Sequence, residues 1–181
     1  MREIALHILD IAQNSVAAKA ENVGIDVVED TESDTLTVKV TDDGLGMSPE
    51  FLSQVTDPFT TKRTTRKVGL GIPLIKFAAE NTGGSFEIKS EHGKGTSLKA
   101  VFGLTHIDRQ PLGNMAETML GLITGNEDVN FVYTHRIDDR EFVLDTKQLK
   151  EILGDVPFSN HEVYLWLSEY LSEGEGELVE K

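Results

Sequence analysis

Leu36-Thr37-Val38-Lys39-Val40-Thr41-Asp42-Asp43-Gly44-Leu45-Gly46-Met47 is the stretch on which the fold turns. Its first half alternates β-branched and polar residues as a half-buried strand does, and its second half is too polar and glycine-rich to continue one. Upstream, residues 23–28 form a second β-branched run, separated from the first by the polar turn Glu29-Asp30-Thr31-Glu32-Ser33-Asp34, so the two read as a hairpin. Before them, Ile4, Ile8, Ile11 and Ser15-Val16 recur at helical spacing over residues 3–20. Glu3, His7, Asp10 and Asn14 fall at steps of three and four, so they share a second face of that helix.

Downstream, Ser48-Pro49-Glu50 is a helix start with proline at the first position. Residues 62–67 form a basic, flexible patch, and residues 71–80 an apolar helix closed by Asn81-Thr82-Gly83-Gly84. Residues 85–89 and 96–102 make another strand pair around Glu91-His92-Gly93-Lys94-Gly95. The order is helix, two strands, a long loop with a short helix, helix, two strands. It predicts an α+β chain: a two-layer α/β sandwich with helices on one face of a mixed sheet. A doubly wound fold is excluded, because no crossover helix joins the members of either strand pair.

Charge divides the chain. Its 181 residues hold 17 Lys+Arg against 31 Asp+Glu, a net charge of −14. Residues 1–104 contribute 15 acids and 11 bases, and residues 105–181 contribute 16 acids and 6 bases. The join falls between Gly103 and Pro111, dividing the sequence into 1–104 and a small, acidic α/β appendage, 105–181. In the appendage, residues 112–123 read as a helix, 130–136 and 141–144 as a hairpin, and 146–153 as a short helix. Ser159 with Glu162 reads as a capping box opening a last helix through Leu165, Trp166, Tyr170 and Leu171, with Glu173-Gly174-Glu175-Gly176-Glu177 as a fraying tail. Trp166 and Tyr170, at helical spacing, read as core contacts.

With no cysteine, a disulfide scaffold, a thiolate zinc site and a thiol nucleophile are excluded, as suits a reducing cytoplasm. No apolar run is long enough to span a bilayer, and Glu3 sits where a signal peptide carries only basic residues, so a soluble, cytoplasmic protein is expected. The negative balance argues against nucleic acid and anionic membrane as partners.

Three glycine clusters punctuate the first half: Asp42-Asp43-Gly44-Leu45-Gly46, Gly69-Leu70-Gly71 and Gly93-Lys94-Gly95-Thr96. Any one alone marks a tight turn as readily as a ligand site. Together they offer what a polyphosphate nucleotide needs: close backbone approach, N–H groups facing phosphates, and a carboxylate able to accept from the adenine amino group. None is a Walker loop, since the Gly-Lys-Ser/Thr ending is missing.

In order and composition, residues 3–104 resemble the ATP-binding domain shared by sensor histidine kinases, gyrase B, Hsp90 and MutL, the GHKL superfamily with its Bergerat fold. The resemblance implies ATP and Mg²⁺ as ligands and assigns roles by position. Asn14 corresponds to the Mg²⁺-coordinating asparagine. Asp10 stands where gyrase-like members carry a glutamate base; as the shorter aspartate, it is either a general base or a support for Mg²⁺ or His7. Asp42 corresponds to the adenine-reading carboxylate, with Thr96 its partner directly or through water, and Gly44, Gly46 and Met47 line the base pocket. Asp57-Pro58-Phe59-Thr60-Thr61-Lys62 matches the phenylalanine box of histidine kinases, with Phe59 anchoring a lid, Thr61 beside it, and Lys62, with Arg63, reaching the phosphates; Arg66 and Lys67 read as solvated lid residues. Gly69, Leu70 and Gly71 place the N-terminus of the 71–80 helix at the triphosphate.

The same resemblance implies transfer of the γ-phosphoryl group to a protein acceptor on another chain, in signal transduction. A family phosphoacceptor histidine would sit ahead of this domain, so the acceptor is expected on another chain. His7 reads as a buried or site-rim histidine, and His92, His106, His135 and His161 read as surface histidines. Two further readings stay open: a slow ATPase switch, and a non-catalytic adenine-nucleotide sensor whose working surface is the stripe Val163, Trp166, Tyr170. A homodimer is compatible with all three.

Overall fold

The computed structural model describes residues 3–57 and 70–180. Helix α1 (Ile4–Ala17) turns Ile4, Ile8 and Ile11 inward, as their spacing predicts. Its N-terminal amides have no side-chain cap. Ile4 N–H donates instead to the Pro111 carbonyl at 2.9 Å and Ala5 N–H to that of Leu112 at 2.7 Å. The link between the two halves of the chain thus caps the first helix.

Strands β1 (Asn22–Asp30) and β2 (Thr35–Asp42) form the expected hairpin, with Ile25 opposite Val40 and Val27 opposite Val38. Helix α2 (Pro49–Gln54) begins at Ser48, whose hydroxyl accepts from Phe51 N–H. Helix α3 (Gly71–Glu80) follows, then the antiparallel pair β3 (Ser85–Glu91) and β4 (Gly95–Gly103), with β4 lying against β2. In the second half come α4 (Met115–Gly125), β5 (Asn130–Ile137), β6 (Arg140–Asp145), α5 (Thr146–Leu153) and α6 (His161–Val179).

All six strands belong to one sheet, in the order β3-β4-β2-β1-β5-β6. Strand β5 runs parallel to β1, with Val23 opposite Phe131, Ile25 opposite Tyr133 and Val27 opposite His135. Residues 105–180 therefore extend the sheet of the first half along the edge of β1. One face is packed: Ile25, Val27, Leu36, Val38, Ala100 and Phe131 are fully buried beneath α1, α3, α4 and α6. Each large aliphatic among them contributes about 1.5–3 kcal/mol by leaving water. The opposite face stays open, with Lys39 across from Asp26 and with Val132 and Val143 exposed. This is the predicted α+β sandwich with helices on one face.

Four details of the second half depart from expectation. Helix α4 starts at Met115, where Asn114 Oδ1 accepts from Glu117 N–H, rather than at residue 112. The cap of α6 is Asn160, whose Oδ1 accepts from Glu162 and Val163 N–H, while Ser159 is held outside the helix by Glu127. The tail does not fray: α6 runs through Gly174 and Gly176 to Val179, because Gly174 lies on the Phe142 ring and Glu175 reaches the sheet. There, Tyr133 Oη donates to Glu175 Oε1 at 2.8 Å. His135 is not on the surface either. It is 1% exposed, with Nδ1 2.8 Å from Glu175 Oε2 and Nε2 3.1 Å from Glu29 Oε1. Burial alone would lower its pKa, but hydrogen bonds to both carboxylates outweigh this and raise it to about 9.

Candidate nucleotide site

A pocket of about 200 Å³ opens between α1, the loop after β2 and strand β4. Among its polar lining groups is Asp42, at the end of β2. The Ser15 hydroxyl on α1 donates to Asp42 Oδ2 at 2.6 Å, and Gly44 N–H donates to Oδ1 at 2.9 Å. The carboxylate is therefore fixed in direction by two donors from two elements, while Val40, Met47, Ile72 and Leu98 supply apolar walls. The neighbouring Asp43 points away and ties the strand start. It accepts from Glu21 N–H at 2.8 Å, from Asn22 N–H at 2.9 Å and from the Asn22 side chain at 2.7 Å. Desolvation would raise its pKa, but these donors prevail and hold it low.

The glycines shape the loop around this carboxylate. Gly46 has φ +71° and its Cα faces the Glu91 carbonyl so closely that a β-carbon would strike it. Met47 N–H donates to Ser90 Oγ at 2.9 Å, and Ser90 Oγ lies 2.8 Å from Thr96 Oγ1. Thr96 sits across from Asp42 in the β2–β4 register and lines the same pocket, but no direct hydrogen bond joins the two.

Helix α1 carries Asn14 into the pocket wall and, one turn earlier, Asp10 against the start of α3. Asn14 lines the pocket, and its Nδ2 is buried without a partner among the described residues. Asp10 meets the start of α3, where Gly71 N–H donates to its carboxylate. A β-carbon at Gly71 would overlap that carboxylate, so the glycine is what lets the two helices close. Burial raises the Asp10 pKa. His7, one turn earlier, is buried, donates from Nε2 to Gln110 Oε1 at 3.0 Å, and leaves Nδ1 without a partner. Burial lowers its pKa, so it is held neutral.

The fold thus gathers Asp10, Asn14, Asp42, Gly44, Gly46, Met47, Gly71 and Thr96 around one pocket and the adjoining end of α3. Leu70 precedes α3 as its N-cap residue, half exposed and outside the pocket lining. Phe59, Thr60, Thr61, Lys62, Arg63, Arg66, Lys67 and Gly69 lie outside the described residues. Sequence reasoning missed Ser15 and Ser90. Ser15 was legible only as part of an apolar stripe, whereas Ser90 continues the inward alternation of Phe86 and Ile88 and could have been found from it.

Among the described residues, no cluster of three or more His, Asp or Glu stands ready to hold a metal, and no helix is long and apolar enough to cross a membrane.

Residues 1–106 match the family model described as "Histidine kinase-, DNA gyrase B-, and HSP90-like ATPase". Sensor protein SrrB of Staphylococcus aureus (strain NCTC 8325 / PS 47) is 35% identical over 103 residues, which are 54% of this chain and 17% of that protein. An NtrY-like sensor histidine kinase of Rickettsia conorii (strain ATCC VR-613 / Malish 7) is 26% identical over 108 residues, 60% of this chain and 18% of that one. The chain thus spans less than a fifth of the length of these relatives. In fold it is similar to the Aquifex aeolicus MutL ATPase domain complexed with ADP, with a TM-score of 0.51 at 17% identity, covering 84% of this chain and 69% of that one. The N-terminal domain of a DNA repair protein gives a TM-score of 0.57 at 12% identity, over 86% of this chain and 58% of that one.

Proposed function

The chain belongs to the histidine kinase-, DNA gyrase B- and HSP90-like ATPase family through residues 1–106, and on that premise we propose that it is a cytoplasmic signalling kinase that passes the γ-phosphoryl group of Mg-ATP to a protein on another chain. The observation that supports this most is the orientation of Asp42. Ser15 and Gly44 fix both of its oxygens in a pocket lined otherwise by Val40, Met47, Ile72 and Leu98 together with Asn14 and Thr96. A carboxylate so held accepts a hydrogen bond from an exocyclic amine and selects adenine by that contact. At about 200 Å³ the pocket is smaller than the roughly 300–1,000 Å³ that encloses a whole drug-sized ligand, and suits the base alone. Ribose and phosphates then lead out past Asn14 toward the N-terminal end of α3, where the helix dipole favours anions.

The residues present fit a magnesium ion held jointly with phosphate. Asn14 lines the pocket with its side-chain nitrogen buried and without a partner among the described residues, and its amide oxygen is of the hard type that a magnesium ion takes. When bound, such an ion neutralises charge on the transferring group. Lys62, in the stretch that matches the family's phenylalanine box, is assigned to the phosphates as a point charge by that resemblance alone.

Asp10 supports a second reading, a slow ATPase. Its partial burial and raised pKa suit a proton acceptor, and it stands against the N-terminal end of α3 one turn before Asn14. Yet its carboxylate is also engaged by Gly71 N–H, which favours a positioning role over a base free to orient water. The test is a time course with Mg²⁺ and γ-labelled ATP, following free phosphate and protein-bound label, with Asp10→Asn and Asn14→Ala alongside. ATP binding without self-labelling and with negligible phosphate release is expected, and loss of binding in Asn14→Ala. Steady phosphate release that requires Asp10 would replace transfer to a partner with the ATPase switch.

A further inference from the structure

Helix α6 is fastened to the core by Leu167, Leu171 and Leu178, all buried. Its neighbouring face is not needed for that packing. Glu162, Trp166, Glu169, Tyr170 and Glu173 follow one another at helical spacing, and all are exposed, Trp166 at 45% and Tyr170 at 38%. Exposing an indole beside a tyrosine is unusual enough to need a cause.

The two rings are neither mobile ornaments nor isolated. Trp166 stacks on Tyr170 with centroids 5.1 Å apart and planes 15° apart. Tyr170 in turn meets Phe142 of β6 at 5.6 Å, and Phe142 meets the buried Tyr133 at 6.3 Å. A continuous file of four rings therefore runs from the core to the surface and holds the outermost indole in place. With one face taken by Tyr170, the exposure of Trp166 falls on its other face and edges. That face carries the negative side of the ring quadrupole.

Charge around it has one sign. Residues 161–180 contain six glutamates and no lysine or arginine. Among the described residues, Glu162, Glu169 and Glu173 form no ion pair, whereas Glu175, on the opposite flank, is engaged by His135 and Tyr133. A π face stacked on Tyr170 and flanked by three carboxylates with no ion pair among the described residues is complementary to a cation with an apolar stem.

We propose that this face of α6 docks a lysine- or arginine-bearing segment of a partner protein, with a cationic side chain laid over Trp166 between Glu162, Glu169 and Glu173. The inference stands apart from the nucleotide reading and needs no nucleotide to test.

Trp166 is the sole tryptophan, so its fluorescence reports on this face alone. The full chain is titrated with two synthetic peptides of equal length and apolar content, one carrying arginines where the other carries glutamines, and heats of binding are measured in parallel. The arginine peptide is expected to shift Trp166 emission and to bind more weakly as salt rises. Trp166→Ala and the pair Glu169→Gln/Glu173→Gln should each weaken binding about tenfold, Trp166→Phe should retain most of it, and all three should melt as the parent does. The control pair Glu21→Gln/Glu32→Gln, which removes the same charge from another surface, should bind unchanged. Equal binding of the glutamine peptide, equal loss in the control pair, or undiminished binding by Trp166→Ala would each overturn the proposal. So would sedimentation showing that two copies of the chain associate through Trp166.

Discussion

Raising the pH should loosen the chain through His135. Protonated, its two ring nitrogens join Glu29 of β1 to Glu175 of α6, so one buried cation binds the sheet to the last helix. Its pKa rises from 6.5 to about 9 in the folded state. Because the folded value is the higher one, the stabilisation is complete below about pH 6.5 and is lost as pH climbs through about 9. The shift of roughly two and a half units corresponds to at most about 3 kcal/mol. For a chain of this size, that is a fall in Tm of about 6–12 °C. His7 works in a separate window: its pKa is held low by burial, so its contribution is lost only as pH falls below about 6.5. The assay is urea unfolding from about pH 6.5 to about pH 9.5, run on the parent and on His135→Gln, so that all other titrating groups cancel. The parent should lose about 3 kcal/mol more than the variant over that range. Identical pH profiles, or a His135 ring titrating below its ordinary value by NMR, would refute the reasoning.

Two shorter expectations follow from the caps and the pocket. Ser15→Ala strips one donor from the half-buried Asp42 carboxylate, which should cost about 1–3 kcal/mol, or roughly five- to 150-fold, in adenine-nucleotide affinity by calorimetry with the far-ultraviolet spectrum unchanged. Asn160→Ala removes the acceptor for Glu162 and Val163 N–H and should lower stability by about 1 kcal/mol in denaturant titration, whereas Ser159→Ala, outside the helix, should cost less.

The first half of the chain was readable because its elements are locally determined. Alternating Val23, Ile25, Val27 and Leu36, Val38, Val40 specify a hairpin by themselves, and a Gly71 that must admit a neighbour shows as a glycine in the sequence. What the sequence could not show depends on partners far along the chain. Nothing near His135 announces Glu29 or Glu175, so it reads as a surface histidine, although the fold buries it between carboxylates 106 and 40 residues away. Likewise the glycine-rich tail looks like a fraying end, yet Gly174 fits over Phe142 because its side chain is missing. Ser15 looks like filler in an apolar helix until β2 delivers Asp42 to it. In each case local propensity favoured one outcome and a tertiary contact chose another.

The parallel pairing of β1 with β5 also sets a schedule. Asn22 pairs with Asn130, so β1 leaves the ribosome about a hundred residues ahead of its second neighbour. At translation rates of roughly 5–20 residues per second, that is a wait on the order of 5–20 s. Throughout it, Val23, Ile25 and Val27 front an open strand edge, the kind of template on which nascent chains pair wrongly. The strand at the centre of the finished sheet is thus its most vulnerable edge during synthesis, and yield in a heterologous host should respond more to slowed translation or added chaperone than to conditions chosen for the folded protein.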